Sequence, residues 1–210
     1  MFSQERNKRY LNTTYLGNSH LINDIMAMTP SNMLPLGTQA PDFKLKDSVT
    51  NQYCSYADIR GEKGTVVMFI CNHCPFVIHE VDEIVRIAND YRVLGFGFVA
   101  ISSNDIEKYP QDGPKEMWDF ARKHNFRFPY VYDGSQEIAK AYEAACTPDF
   151  YLFDGRDRLV YRGQLDDSRP GNGIPVNGRH LREALDNVFN SRPQDKNQKP
   201  SIGCNIKWKE

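Results

Sequence analysis

The 210-residue sequence lacks an excess of charge of one sign, a long apolar run and an even number of cysteines. Its formal net charge is −1, which gives no electrostatic reason to expect binding to nucleic acid or to an anionic membrane. No apolar run approaches the ~20 residues of a membrane-spanning helix. The first ten residues, MFSQERNKRY, also lack the apolar stretch of a signal peptide. We therefore predict a cytoplasmic protein without nucleic-acid or membrane partners.

The five cysteines cannot all pair within one chain, which excludes a complete disulfide framework. A chain of this length can also bury a sizeable core without such cross-links. In a reducing compartment, closely spaced cysteines indicate redox chemistry or metal binding more often than structural disulfides. Cys71 and Cys74 form such a pair, whereas Cys54, Cys146 and Cys204 are scattered along the chain.

The composition divides the chain into three parts. Residues 1–35 are rich in asparagine and other polar residues, and we predict that they form an N-terminal extension. Residues 36–192 contain the regularly spaced apolar segments of one domain. Residues 193–210 are polar but end in alternating apolar side chains, from Ile202 to Trp208, which predicts a tail that docks on the domain.

Apolar periodicity within the domain predicts an α/β fold. The unbroken apolar run at 65–70 is typical of a central strand buried on both faces. The apolar stripe from Val77 to Ala88 predicts a helix that ends near Arg92. Further elements are predicted in chain order: a strand at 96–101, a helix at 115–124, a strand at 130–132, a helix at 136–145, a hairpin at 150–161 and a helix at 179–189. This order predicts a mixed β-sheet with helices on both faces.

Cys74 stands where a thiol becomes reactive. Pro75 is suited to the first position of the predicted helix, which makes Cys74 its N-cap residue. The free backbone N–H groups and the positive end of the helix dipole favour the thiolate at this point. His73 adds positive charge nearby when it is protonated. We therefore predict that Cys74 is a nucleophile, and that Cys71 lies close enough to form a disulfide with it.

The segment VMFICNHCPF at 67–76 resembles the active-site segment of the thioredoxin-like superfamily. More narrowly, it resembles redoxin proteins related to alkyl hydroperoxide reductase and thiol-specific antioxidant, the AhpC/TSA type. The resemblance covers about residues 28–208 and is therefore more specific than a lone Cys-x-x-Cys motif. It implies a thioredoxin-like fold. The other segments similar to this family lie at 29–37, 40–43, 146–150, 166–173 and 203–208.

The resemblance implies a thiol–disulfide oxidoreductase without an organic cofactor, which receives its electrons from another thiol system. The register of the family places Cys74 at the attacking position and Val77 at the usual second-cysteine position. Cys71 is then the resolving thiol, and Cys146 and Cys204 are the alternatives. The family geometry places the loop of Cys146 against the active site, and Cys204 lies on a tail that can fold back.

The resemblance also implies a substrate face. The segment at 146–148 matches the one that holds a cis-proline opposite the active site and leaves a backbone edge free to pair with a bound chain. Thr147, Pro148, Pro75 and Arg169 are therefore predicted substrate contacts. The predicted partners are protein or small-molecule disulfides or peroxides and a thiol electron donor, and the chain is predicted to be a monomer or a weak dimer.

Three alternatives stay open at the level of the sequence. Peroxiredoxins carry proline and Thr or Ser where this chain has Val67 and Cys71, which favours disulfide exchange and leaves a weak thiol peroxidase as an alternative. A Sco-like copper or zinc protein would use Cys71, His73 and Cys74 as ligands, without a second cluster to supply a fourth. The third alternative is a redox-inert interaction domain, in which the cysteines are only small buried side chains.

Overall fold

The computed structural model describes residues 28–210, so most of the predicted N-terminal extension lies outside the described residues. The strands are β1 (Met28–Pro30), β2 (Lys44–Asp47), β3 (Tyr53–Ser55), β4 (Gly64–Phe69), β5 (Phe96–Ser102), β6 (Tyr130–Tyr132), β7 (Cys146–Thr147), β8 (Asp149–Asp154), β9 (Leu159–Gly163) and β10 (Ile202–Asn205). The α-helices are α1 (Tyr56–Ile59), α2 (Pro75–Arg92), α3 (Pro114–Lys123), α4 (Glu137–Ala141) and α5 (Arg179–Phe189), and a short 3₁₀ turn spans Pro110–Asp112.

Seven strands form the main sheet, in the order β3-β2-β6-β5-β4-β8-β9. The pairs β4–β5 and β5–β6 are parallel, and the other pairs are antiparallel. Parallel neighbours require a crossover, and α2 and α3 supply the two crossovers. The predicted α/β class and mixed sheet are confirmed, including the hairpin of β8 and β9.

The side chains of β4 alternate between two separate hydrophobic clusters. Val66 and Met68 face one cluster, which α2, α3 and α5 cover, and Val67 and Phe69 face the other, beneath α1 and α4. All six residues of β4 are buried, as expected for a strand covered on both faces. This double burial fixes the strand from which the chain enters the Cys71–Cys74 segment.

A second, three-stranded antiparallel sheet joins the two ends of the described chain. Its order is β1-β10-β7, with Cys204 opposite Met28 on one side and opposite Thr147 on the other. Residues 28–30, which the sequence assigns to the extension, thus form an outer strand. The C-terminal tail supplies the central strand.

Near β7, one feature differs from the sequence prediction and one agrees with it. The helix predicted at 136–145 is only Glu137–Ala141, because Glu143 adopts a left-handed conformation (φ 51°), which an α-helix cannot contain. The Thr147–Pro148 peptide bond is cis, as the resemblance implied. In the part of the chain that the structure describes, no helix has both the length and the apolar character needed to cross a bilayer.

Asp149 is fully buried at the start of β8, directly after the cis-proline. Tyr151 Oη donates a hydrogen bond of 2.9 Å to its Oδ2 atom. Burial raises the pKa of the Asp149 carboxyl to about 7, although hydrogen bonds from Tyr151, Ser31 and Ser201 oppose the shift. The folded protein therefore holds this proton more tightly than the unfolded chain does.

We expect Asp149 to make the protein less stable as the pH rises from about 4 to about 7, because only the unfolded chain ionises freely in that range. The contribution has a maximum slope of about 1.4 kcal/mol per pH unit. Asp149→Asn keeps an acceptor for Tyr151 but has no proton to lose. Urea unfolding at several pH values should therefore show a smaller loss of stability in the variant than in the wild type. Parallel curves would contradict the prediction.

Candidate thiol redox site

Cys74 lies at the junction between the central strand and the longest helix. It is the N-cap residue of α2, with extended backbone angles, and Pro75 follows at the first helical position. The Cys74 carbonyl accepts a hydrogen bond of 3.0 Å from the Ile78 N–H group. The thiol of Cys74 is fully buried. The helix therefore presents its free N–H groups to a sulfur that is shielded from water.

Thr147 is the residue at which three thiols meet. Cys74 Sγ lies 3.1 Å from the Thr147 carbonyl oxygen, and Cys71 Sγ lies 3.4 Å from Thr147 Oγ1. Cys204 is the partner of Thr147 in the ladder between β7 and β10. The structure thus brings together Cys71 and Cys74, which are close in sequence, and Cys204 from the C-terminal tail.

The three thiols differ in acidity because they share hydrogen bonds. Burial raises the pKa of the Cys74 thiol, but hydrogen bonds from Cys204, Cys71 and the Val77 N–H group outweigh burial and place the pKa well below its ordinary value. The same hydrogen bonds to Cys74, together with burial, raise the pKa values of Cys71 and Cys204. The direction of these shifts makes Cys74 the most acidic of the three thiols.

The remaining two cysteines lie apart from this hydrogen-bonded cluster. Cys146 is buried on β7, where its Sγ lies 3.8 Å from the Pro148 carbonyl oxygen, and burial raises its pKa. Cys54 is buried on β3 with its Sγ 3.8 Å from the Ser55 carbonyl oxygen, and burial raises its pKa to about 11. Both environments favour the unreactive thiol form.

His73 contacts a carboxylate that the sequence did not indicate. Its Nδ1 lies 2.7 Å from Asp112 Oδ2, at ion-pair distance but not aligned for a hydrogen bond, and its ring stacks on Tyr109. Asp112 is fully buried, and it accepts hydrogen bonds from Asn72 N–H and Asn104 Nδ2. Asp112 lies 38 positions beyond Cys74 in a 3₁₀ turn, and no local pattern marks it as a site residue.

Glu80 is a second acid that the sequence analysis missed. It is buried on α2, and among the described residues no hydrogen-bond donor reaches its Oε2 atom. Burial raises its pKa, the charge of Arg169 opposes the shift, and the charge of Cys74 adds to it. Glu80 lies three residues after Val77 and therefore on the same, buried face of the helix. This spacing in the sequence could have identified Glu80 as a buried acid.

The four predicted substrate contacts occupy different environments. Thr147 and Pro148 adjoin the thiols, and Pro75 is half-buried at the start of α2. Arg169 instead donates to its own loop, at the carbonyl oxygen of Asp166 (2.8 Å), the carbonyl oxygen of Ser168 and Gln164 Oε1.

The expected free backbone edge beside the cis-proline is not free. Strand β10 is paired along it, with Cys204 opposite Thr147 and Asn205 opposite Cys146. The sequence analysis was wrong on this point, because hydrogen bonding between two segments separated by more than 50 residues leaves no local signal.

Comparisons with known proteins give one family and one fold. Residues 36–162 match the model of the AhpC/TSA family. An uncharacterized conserved protein from Geobacillus kaustophilus is 56% identical, with a TM-score of 0.86 over 88% of this chain and 97% of that chain. A hypothetical protein from Sinorhizobium meliloti 1021 is 44% identical, with a TM-score of 0.84 over 86% of this chain and 98% of that chain. No curated protein matches the chain.

A more distant structure supports the fold alone. Peroxidoxin BcpB from Mycobacterium tuberculosis is 15% identical, with a TM-score of 0.57 over 75% of this chain and 97% of that chain. The predicted thioredoxin-like fold is thereby confirmed.

We expect the Cys74 thiolate to persist in the folded protein well below the ordinary thiol pKa of about 8.5. Thiolate absorbance at 240 nm, taken as the difference between the wild type and Cys74→Ser, measures it during acid titration. Cys204→Ala removes one S–H donor and should raise the pKa of Cys74 by at least about one unit. Cys54→Ala is the matched control and should leave the pKa unchanged. A wild-type transition near about 8.5 would contradict the assignment.

Proposed function

The chain belongs to the AhpC/TSA family, and we propose that it is a thiol–disulfide oxidoreductase with Cys74 as its nucleophile. The observation that carries the proposal is the cluster of three thiols around Thr147 at the start of α2. Cys74 Sγ lies 3.1 Å from the Thr147 carbonyl oxygen, Cys71 Sγ lies 3.4 Å from Thr147 Oγ1, and Cys204 pairs with Thr147 in the ladder. This cluster lowers the pKa of one thiol and places two further thiols in contact with it. A nucleophile and a resolving thiol are the two groups that disulfide exchange requires.

The proposed exchange has two steps. The Cys74 thiolate attacks one sulfur of the substrate disulfide, the S–S bond breaks, and the other sulfur leaves as a thiolate that takes up a proton. A second cysteine then loses its proton and attacks Cys74 Sγ, which forms an intramolecular disulfide and releases the second substrate thiol. Two electrons pass from the protein to the substrate. A thiol reductant returns them.

Cys71 and Cys204 are the proposed resolving thiols, because each donates a hydrogen bond to Cys74. Both have raised pKa values while Cys74 carries a negative charge. That charge disappears when Cys74 becomes part of a mixed disulfide, so the first step itself makes the second cysteine easier to ionise. Cys146 has no such hydrogen bond to Cys74 among its described contacts and is not proposed for this step.

Weak peroxide reduction is the alternative reaction at the same sulfur. The Cys74 thiolate would attack one peroxide oxygen, the O–O bond would break, and the other oxygen would leave as water or an alcohol after taking up a proton. The sulfenic acid formed on Cys74 would then condense with a neighbouring thiol, which gives the same intramolecular disulfide and releases water. Both reactions therefore predict the same oxidised protein, and only the rates with each substrate distinguish them.

Cys74→Ser is expected to reduce the rate with bis(2-hydroxyethyl) disulfide by at least about a hundredfold, since the hydroxyl does not ionise at neutral pH. Peptide mass spectrometry of the oxidised wild type without reductant should show a disulfide from Cys74 to Cys71 or to Cys204. Cys54→Ser is the matched control and should keep the wild-type rate. Full activity of Cys74→Ser would sink the proposal, as would an oxidised protein in which Cys74 stays free.

Metal binding is a second candidate function, which one arrangement favours. Ligand atoms of Cys71, His73 and Asp112 all lie within 4.8 Å of one another. The ligands predicted from the sequence were Cys71, His73 and Cys74, without a fourth. The group in the folded protein contains Asp112 beside Cys71 and His73, and Cys74 is not part of it. A thiolate, an imidazole and a carboxylate suit Zn²⁺.

The metal hypothesis predicts that the reduced protein binds one Zn²⁺ and that Asp112→Asn weakens binding by at least about tenfold, because a carboxylate ligand is lost. Isothermal titration with Zn²⁺ gives both affinities. Asp105→Asn is a suitable control on the same loop, since Asp105 is outside the ligand set. Equal affinities for wild type and Asp112→Asn would remove Asp112 from the site.

A further inference from the structure

Strand β10 occupies the position in which an extended polypeptide would pair beside the nucleophile. Polypeptides bind to exposed sheet edges by adding a strand, and the backbone of the edge residue supplies the hydrogen bonds. Here the edge residue nearest to the nucleophile is Thr147, whose carbonyl oxygen lies 3.1 Å from Cys74 Sγ. Its ladder partner is already Cys204. The chain therefore places one of its own cysteines where a bound strand would place a substrate cysteine.

Gly203 shows how closely β10 approaches this edge. A Cβ atom at position 203 would lie 2.0 Å from the Thr147 carbonyl oxygen and 2.7 Å from the Thr147 carbonyl carbon. Contacts this short do not occur, so a larger residue at this position would force the two backbones apart. The absence of a side chain at residue 203 is thus what allows Cys204 to reach Cys74.

Interactions on both sides of β10 hold it in place. Before the strand, Ser201 Oγ donates to the Gly163 carbonyl oxygen at 2.6 Å, and β1 pairs along the far edge. After the strand, the Lys207 carbonyl oxygen accepts from Gln136 Nε2 at 2.8 Å and from Asp105 N–H at 2.8 Å. A strand held by a neighbour on each side and by anchors at each end is a built part of the site.

We propose that β10 is a fixed internal occupant of the polypeptide-binding edge, and that the site therefore acts on low-molecular-weight disulfides and excludes extended polypeptide disulfides. A small disulfide has to reach Cys74 but does not have to pair with Thr147. A polypeptide has to displace β10 and its anchors first. The proposal rests on the proposed function and narrows its substrate class.

The test compares the cleavage of the same disulfide bond in a small molecule and in a peptide. The first probe is the mixed disulfide of free cysteine and thionitrobenzoate. The second probe is a hexapeptide with the sequence of residues 201–206, whose cysteine forms the same mixed disulfide with thionitrobenzoate. The Cys74 thiolate attacks the cysteine sulfur, and the S–S bond to thionitrobenzoate breaks. Thionitrobenzoate leaves as a coloured thiolate, which absorbance at 412 nm measures in single turnovers of the reduced, full-length protein.

The wild type is expected to react with the free-cysteine probe at least about tenfold faster than with the peptide, a ratio that corresponds to about 1.4 kcal/mol. Gly203→Ala pushes β10 away from Thr147 and should reduce this ratio. Gln136→Gly removes the hydrogen bond from Gln136 to the Lys207 carbonyl oxygen and should also reduce this ratio. Glycine is suited to the left-handed backbone at position 136 (φ 65°), so this variant is the second test if Gly203→Ala does not fold. Cys54→Ala lies on β3, outside the three-stranded sheet, and is the control, with an unchanged ratio.

Equal rates of the wild type with both probes would overturn the proposal. Faster hydrogen exchange of the Cys204 amide in a variant shows that β10 has moved, and an unchanged ratio of the two rates in such a variant would also overturn it. A wild-type protein that reacts with neither probe while its thiols titrate normally in denaturant would instead refute the proposed function itself. The two failures are therefore distinguishable.

Discussion

The redox site depends on one constraint, the close approach of Thr147 to the start of α2. Its carbonyl oxygen contacts Cys74, its hydroxyl contacts Cys71, and its backbone pairs with the strand that carries Cys204. Each of these contacts comes from a different part of the chain, and a shift of this residue would separate all three thiols. The cis peptide bond to Pro148 and the buried Asp149 follow directly in the chain, so the site adjoins the start of β8.

Two S–H groups and one backbone N–H group, rather than a neighbouring cation, lower the pKa of the Cys74 thiol. A thiol at a helix start is usually considered together with a neighbouring cation, and His73 is adjacent to Cys74 in the sequence. In the folded protein His73 lies against Asp112 and Tyr109. The S–H groups of Cys204 and Cys71, with the Val77 N–H group, take over this role. Such donors have a second use, because each can become the resolving thiolate once Cys74 is in a mixed disulfide.

Two buried carboxyl groups near the cysteines, those of Asp112 and Glu80, differ in their hydrogen bonding. Asp112 accepts hydrogen bonds from the Asn72 N–H group and from Asn104 Nδ2. Glu80 has an oxygen that no donor among the described residues reaches, and burial raises its pKa. The two acids therefore differ in hydrogen bonding, and the rise in the pKa of Glu80 favours its neutral form.

The sequence by itself determined the features that depend on neighbouring residues. The apolar run of β4, the stripe of α2 and the Cys74–Pro75 start of the helix are all local patterns, and each is found where it was predicted. Only the tertiary structure decided which distant groups join them. Strand pairing brings Cys204 to Cys74 from 130 residues away, and a loop contact brings Asp112 to His73. Hydrogen-bond partners across such distances are set by the packing of whole elements, which leaves no periodicity in the chain that could be read in advance.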